Sequence, residues 1–389
     1  MTISEAAAAV GVSGGTLRRW VREGVVPEYD GAWTPAAVGK ARLVARLRER
    51  GYTLAHIKRA TDEGRLAFGR IVELFGSNGE TYTRAEAVYL TGLDAETVDR
   101  VAMMLGIGSE QPLDEVAFQV LNYVGAAIKA GLPREAMMQI ARVYLQAISS
   151  IADAEVRLVH LYLHEPLMRA GGSADEMARA MLNVAEGLLP LAPPLLDQLH
   201  HRMLMHYIDQ DVVGHMETEL AAEHEEIGRM RVAIAFADLA GYTQLTEREG
   251  DLHALDVVER FLGNVTATLP DGARVIKTIG DEVMVVGPDP VALTAWALRL
   301  GELMPEHPRP RAAVHYGYAR YRDGDYFGRE VNLAARVQAQ SGEGDVLVTR
   351  PVVEASDSQL RFEPLAPVRL RGFSESTEMF RALVAGPRA

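Results

Sequence analysis

What most limits the fold of this chain of 389 residues is a change of pattern at Arg231. Before it, apolar residues recur at helical spacing, punctuated by Gly and Pro. After it, short apolar runs (VAIAFADL, RVIKTIG with EVMVVG, RAAVHYGYA, DVLVT) alternate with helical stretches (HALDVVERFLGNVTATL, PVALTAWALRLGELM, EVNLAARVQAQ). That alternation predicts a sheet with helices packed on it, whereas the earlier region predicts helices alone. The length exceeds one ordinary core, and 48% apolar residues can fill two or three. The expected fold is multidomain, an all-α N-terminal region followed by an α/β domain.

Several classes fall away on composition. With no cysteine there is no disulfide framework, thiolate nucleophile or cysteine-based zinc site. No apolar run reaches the ~18 residues of a membrane span, and no basic stretch leads into an apolar one at the N-terminus, so a cytoplasmic protein without a membrane span is expected. A net charge of −13 argues against a surface that clings to nucleic acid throughout. Residues 1–60, with ten Lys or Arg against five Asp or Glu, are the exception.

That segment opens with TISEAAAAVGVSGGTLRRWVREGVVP. Ile3, Ala6, Ala7 and Val10 form one periodic stretch, Gly11 breaks it, and Ser13 stands where a second helix needs an N-cap. Leu17, Trp20 and Val21 give that helix an apolar face, and Arg18, Arg19 and Arg22 a basic one. A Pro-, Gly- and Trp-containing loop and the helical KARLVARLRERG and YTLAHIKRAT follow. The order resembles a MerR-type winged helix-turn-helix over residues 1–61, in a domain expected to span 1–75. The resemblance implies DNA contacts by Arg18, Arg19 and Arg22, with Lys40, Arg42, Arg46 and Arg48 near phosphates. Against this, the wing between Pro27 and Pro35 carries Glu28 and Asp30 and no Lys or Arg, although phosphate contacts supply most DNA affinity. The balance favours a retained scaffold or dimerisation module over a DNA reader.

Residues 76–196 are expected to form an all-helical domain, with a capping box at Thr83 and Glu86. Pro190, Pro193 and Pro194 should end one helix, and a long polar helix is expected over 197–230. Seven of the 11 histidines lie between His160 and His224; of these His200, His201, His206, His215 and His224 fall on the connecting helix and are candidate pH sensors, because imidazole titrates near neutrality. The Leu- and Met-rich helices could also enclose a lipid or other apolar ligand, although core packing accounts for the same residues.

Candidate chemistry lies beyond Arg231. Asp238 ends the run VAIAFAD before LAGYT, a position that suits a hard cation with its phosphates and equally a helix N-cap. Asp281 follows Gly280 between two apolar runs, which predicts a hairpin with the aspartate at its tip. In DYFGREVNLAARVQ, Asn332 and Arg336 are four apart and share a helix face, the arrangement of a clamp for a transferring phosphoryl group.

Taken in order, F-A-D-L-A-G-Y-T, K-T-I-G-D, D-Y-F-G-R-E-V-N-L-A-A-R and L-R-G-F resemble the catalytic domain of class III nucleotide cyclases over residues 231–389. The resemblance implies a ferredoxin-like, βαββαβ-type domain that cyclises a nucleoside triphosphate at a homodimer interface. Asp238 and Asp281 would hold two Mg²⁺ or Mn²⁺ ions, Asn332 would orient the ribose, and Arg336 would steady charge on the α-phosphate. Lys277 and Asp325 fall at the base-selecting positions. Lysine donates to adenine N1 and aspartate accepts from its 6-amino group, which selects ATP and cyclic AMP over the guanine pair. Arg371 of L-R-G-F stands where the family commonly has a triphosphate-binding lysine. The IGDEVM segment also invites comparison with the GGDEF signature of diguanylate cyclases, but only one glycine precedes the aspartate, and the Asn and Arg of VNLAAR have no place there. Through Y-T-R-A-E, G-L-D-A-E-T-V-D-R and a long helix placed before F-A-D-L-A-G-Y-T, the helical region resembles the regulatory part of actinobacterial pH-responsive cyclases. The alternative is a DNA-binding transcription regulator with a cyclase-like ATP-sensing domain, disfavoured because Asp238, Asp281, Lys277, Asp325, Asn332 and Arg336 are all chemically competent.

Overall fold

The computed structural model describes residues 1–27, 33–66, 80–218, 228–356 and 360–384. It divides into two units, Met1–Asp209 and Gln210–Ala389.

In the first unit, helices begin where short polar side chains can take up free backbone N–H groups. Thr2, Ser13, Thr34 and Thr53 cap α1 (Ile3–Val10), α2 (Gly14–Arg22), α3 (Pro35–Glu49) and α4 (Leu54–Asp62), each accepting from the backbone N–H three residues on. Ala6, Leu17, Trp20, Val25, Val26, Val44 and Ile57 close one core. Arg18, Arg19 and Arg22 remain exposed. Lys40 does not fit the expected phosphate role: it is only 7% exposed, on the buried side of α3. Arg42 donates to the Ala9 carbonyl (3.1 Å) and Arg48 to that of Tyr52 (2.7 Å), so both also serve the fold. Glu28, Asp30 and the expected boundary at residue 75 lie outside the described residues.

A second core follows. The strands β1 (Thr81–Tyr82) and β2 (Leu113–Asp114) pair antiparallel and bracket α5 (Arg84–Thr91) and α6 (Ala95–Met104), a short bridge in a region expected to be wholly helical. The Thr83–Glu86 capping box forms as expected, and its hydrogen bonds hold the Glu86 carboxyl below its ordinary value. Then come α7 (Glu115–Lys129), α8 (Arg134–Val159), a π-helical turn over His160–His164, α9 (Glu165–Arg169) and α10 (Ala174–Gly187). Met137, Met138, Met177 and Met181 are buried in these helices as core. Gly64, at positive φ after α4, lies so close to Met177 that a Cβ there would fall 2.0 Å from its terminal methyl carbon.

The helix expected over 197–230 differs at both ends. It starts earlier, as α11 (Ala192–Thr218), with Pro193 and Pro194 in its first turn, where a missing N–H costs nothing. Its last described residue is Thr218, and Met230 and Arg231 belong to a strand. His200, His201 and His206 are exposed on α11; the side chain of His215 and all of His224 lie outside the described residues. Among the described residues no helix is long and apolar enough to cross a membrane.

In the second unit, β3 (Arg229–Leu239) leads to α12 (Tyr242–Glu249) and α13 (Asp251–Ala267). The hairpin β4 (Arg274–Ile279) and β5 (Glu282–Gly287), α14 (Pro290–Leu303) and β6 (Pro310–Arg322) complete the expected βαββαβ order. Beyond it lie β7 (Asp325–Phe327), α15 (Arg329–Gln338), β8 (Val346–Thr349), α16 (Arg350–Ala355), β9 (Leu360–Pro364), β10 (Val368–Arg369), β11 (Ser376–Thr377) and β12 (Met379–Val384). The main sheet runs β4-β5-β3-β6-β8-β12-β9, with β7 paired to β6. Among the described residues, only β6 and β8 pair in parallel, the rest antiparallel.

Side-chain alternation gives β3 two buried faces. Ala233, Ala235 and Ala237 meet Phe261 of α13 and Leu293 and Trp296 of α14. Val232, Ile234 and Phe236 look the other way, toward Val331 and Ala334 of α15. Among the described residues, α15 is the one helix contributing buried residues to the cores on that second face.

Candidate active site

Asp238 follows Phe236 on the second face of β3, next to the end of the strand. Across the sheet it is in register with Arg311 of β6, so the two side chains rise from the same face. The Arg311 guanidinium donates to both carboxylate oxygens of Asp238, from Nε at 2.6 Å and Nη2 at 2.9 Å, and from Nη1 to the Ser341 carbonyl at 3.2 Å. This fork fixes the Asp238 carboxylate and places a cation beside it.

Asp281 stands at the tip of the β4–β5 hairpin, after Gly280 at φ 63°, where a left-handed backbone suits glycine. Its Oδ2 accepts from the Leu239 N–H at 3.4 Å, which brings the two predicted carboxylates to the same end of the sheet. Burial raises its carboxyl above the ordinary value and nearby Asp238 adds to this, while hydrogen bonds from its own and the Leu239 N–H pull it down. Glu282 is raised too, first by burial and then by Asp238 and Asp281. Crowded carboxylates of this kind form a hard-oxygen donor set that a divalent cation would relieve. Among the described residues no group of three or more His, Cys, Asp or Glu surrounds a single metal position.

Lys277 and Asp325 meet as well: Nζ lies 2.6 Å from Oδ2, and the other carboxylate oxygen accepts from the Tyr326 N–H at 2.7 Å. A bulge in β4 makes this contact. Val275 pairs with Val285, and Lys277, not Ile276, with Met284. Two residues thus stand opposite one, and Lys277 shares the Met284 face of the sheet instead of turning to the side packed by α13 and α14. Asn332 and Arg336 are both exposed on α15. Arg371 is exposed in the turn between β10 and β11, with no described contact to the carboxylates.

Sequence reasoning overlooked Arg311. In PRPRAAV it reads as a surface charge at a strand start; its register with Asp238 was the signal, and that is visible only once β3 and β6 are paired. Nothing in the sequence sets Glu282 apart from an ordinary hairpin residue.

A family model described as MerR HTH family regulatory protein matches residues 1–64. The chain is 31% identical over 359 residues to the pH-sensitive adenylate cyclase MT1302 of Mycobacterium tuberculosis, covering 89% of this chain and 88% of that protein. To an adenylate cyclase of Streptomyces coelicolor it is 29% identical over 281 residues, 70% of this chain and 71% of the other. The crystal structure of the adenylyl cyclase CyaB from P. aeruginosa superposes with a TM-score of 0.38 at 20% identity, covering 41% of this chain and 96% of that one. Identity of 31% along nearly the whole length of a curated adenylate cyclase means that this chain belongs to the class III adenylate cyclases and carries a MerR-type helix-turn-helix at its N-terminus.

Proposed function

We propose that this adenylate cyclase makes 3′,5′-cyclic AMP and pyrophosphate from ATP in sites shared by two copies of the chain, under control of the helical N-terminal region. The reading is carried by one observation: Asn332 and Arg336 sit exposed on α15, so a clamp for the transition state faces outward and needs a second surface to close upon. Asp238 and Asp281 of one copy would hold two Mg²⁺ or Mn²⁺ ions. When bound, such ions acidify the ribose 3′-hydroxyl and offset phosphate charge.

The remaining work falls to side chains. Lys277 donates to the adenine N1 and Asp325 accepts from the 6-amino group, and their mutual contact keeps both in place before the base arrives. Asn332 hydrogen-bonds the ribose and aligns its 3′-oxygen with the α-phosphorus. Arg336 donates to the α-phosphate oxygens as negative charge grows there, and the electron pair of the breaking P–O bond leaves with pyrophosphate. Arg311 and Arg371 supply cations to the triphosphate, Arg311 from the register position beside Asp238. Incubating the full chain with ATP and Mg²⁺ or Mn²⁺ tests the reading; cyclic AMP no higher than from Asp281→Ala rejects it.

The relative's pH sensitivity and the exposed His200, His201 and His206 on α11 support control by protonation. Replacing all three with asparagine should flatten the pH–activity profile, and an unchanged profile counts against it. DNA binding is a second reading, favoured by exposed Arg18, Arg19 and Arg22; a gel-shift assay in low salt against the triple alanine variant separates it from a scaffold role.

A further inference from the structure

His315 of β6 is 3% exposed and has no part in the chemistry above. Its Nδ1 lies 2.7 Å from the hydroxyl of Thr349, itself 2% exposed at the end of β8. On the other side, Nε2 lies 2.7 Å from Oε2 of Glu330 in the first turn of α15, though off the axis of an aligned hydrogen bond, so the contact relies on proximity and the glutamate's charge. Arg329 also reaches Glu330, at 3.2 Å.

Three features suggest that this chain of contacts is built for a purpose. First, a half-buried glutamate and a buried histidine are costly places for polar groups, and an apolar pair would pack there without the desolvation penalty. Second, room for the pair depends on Gly317: a Cβ at that position would fall 2.7 Å from His315 Nε2 and 3.2 Å from Glu330 Cγ. Third, the helix geometry links Glu330 to the reaction. Glu330, Leu333, Ala334 and Val337 fall on the sheet side of α15. At about 100° per residue, Asn332 and Arg336 fall on the side away from Glu330. The apolar contacts of α15 with the sheet tolerate small rolls and slides, whereas a polar pairing at one residue in the first turn does not.

We propose that His315, braced by Thr349 and held in space kept open by Gly317, is a positioning residue that sets the roll and register of α15 through Glu330, and thereby aims Asn332 and Arg336 at the reacting phosphate. This rests on the roles given above to Asn332 and Arg336. Misaiming them by a fraction of an ångström should cost rate while leaving nucleotide affinity in place, because the base contacts come from β4 and β7.

The test uses the full-length enzyme, steady-state kinetics with ATP and metal, and thermal midpoints to set an assay temperature at which every variant is folded. Glu330→Gln, which keeps the size and removes the charge, should lower kcat about tenfold or more with KM for ATP within about threefold. His315→Gln should do the same if it folds, and Thr349→Val should show a smaller loss. Added to Arg336→Ala, Glu330→Gln should cost less than it does in the parent, since of the two residues it aims only Asn332 remains. A folded Glu330→Gln enzyme with unchanged kcat, a loss confined to KM, or full additivity with Arg336→Ala overturns the proposal. If Asn332→Ala and Arg336→Ala themselves leave kcat intact, the site reading has failed and this inference falls with it, a pattern distinct from failure at Glu330 alone.

Discussion

Lys277 and Asp325 illustrate how much depends on single atoms. Their 2.6 Å contact means that removing either frees the other from its restraint as well as deleting a base contact. Lys277→Ala and Asp325→Ala should therefore each raise KM for ATP about tenfold and shrink the preference for ATP over GTP, read from competing-substrate kinetics. Arg311→Ala should be more damaging than its exposure suggests, because it leaves a partly buried Asp238 with Asp281 and Glu282 as neighbours and no guanidinium. Glu330 offers a pH readout. The contact with His315 holds its carboxyl below the ordinary value against the opposing effect of burial, with Arg329 helping. A depressed folded-state pKa stabilises the protein above the unfolded value and is lost as acid protonates the group. The thermal midpoint of the parent should consequently fall more than that of Glu330→Gln between about pH 6 and about pH 3, and equal falls would contradict this.

At the level of elements, what could be read from the sequence was whatever short-range pattern encodes. The capping box at Thr83, the Gly280–Asp281 hairpin and the helix carrying Asn332 and Arg336 all follow from residues within a few positions of one another. Lys277 was found by resemblance, and strict alternation along RVIKTI would have turned it toward α13 and α14. The bulge beside it reverses that, and a bulge is set by partner-strand packing and not by the strand's own pattern. Arg311 and His315 were missed for a related reason: their roles come from register between strands distant in sequence. The end of the polar helix was misjudged because RMR before VAIAFADL reads equally well as the end of a helix or the start of a strand, and pairing with β6 decides it. Glycine at 317 is also explained only by neighbours. Gly317→Ala should lower stability by about 1–3 kcal/mol through crowding against His315 and Glu330, measured by denaturant unfolding of the full chain.

For the whole molecule, the shared-site reading makes a quantitative statement. Asp281→Ala and Arg336→Ala proteins, each inactive alone, should regain activity on mixing, up to about a quarter of the parent level if partners exchange at random and each mixed dimer restores one site. No recovery after verified exchange would remove the shared site. A last consequence follows from the unequal dressing of the catalytic sheet, one side packed by α12, α13, α14 and α16 and the other, among the described residues, covered by α15 alone. Random mutagenesis should sort its damage by side: lesions at Phe261, Leu293 or Trp296 should appear as heat-sensitive alleles rescued by cooler growth, while those at Asp238, Asn332 or Arg336 should yield full amounts of intact protein that is silent at every temperature.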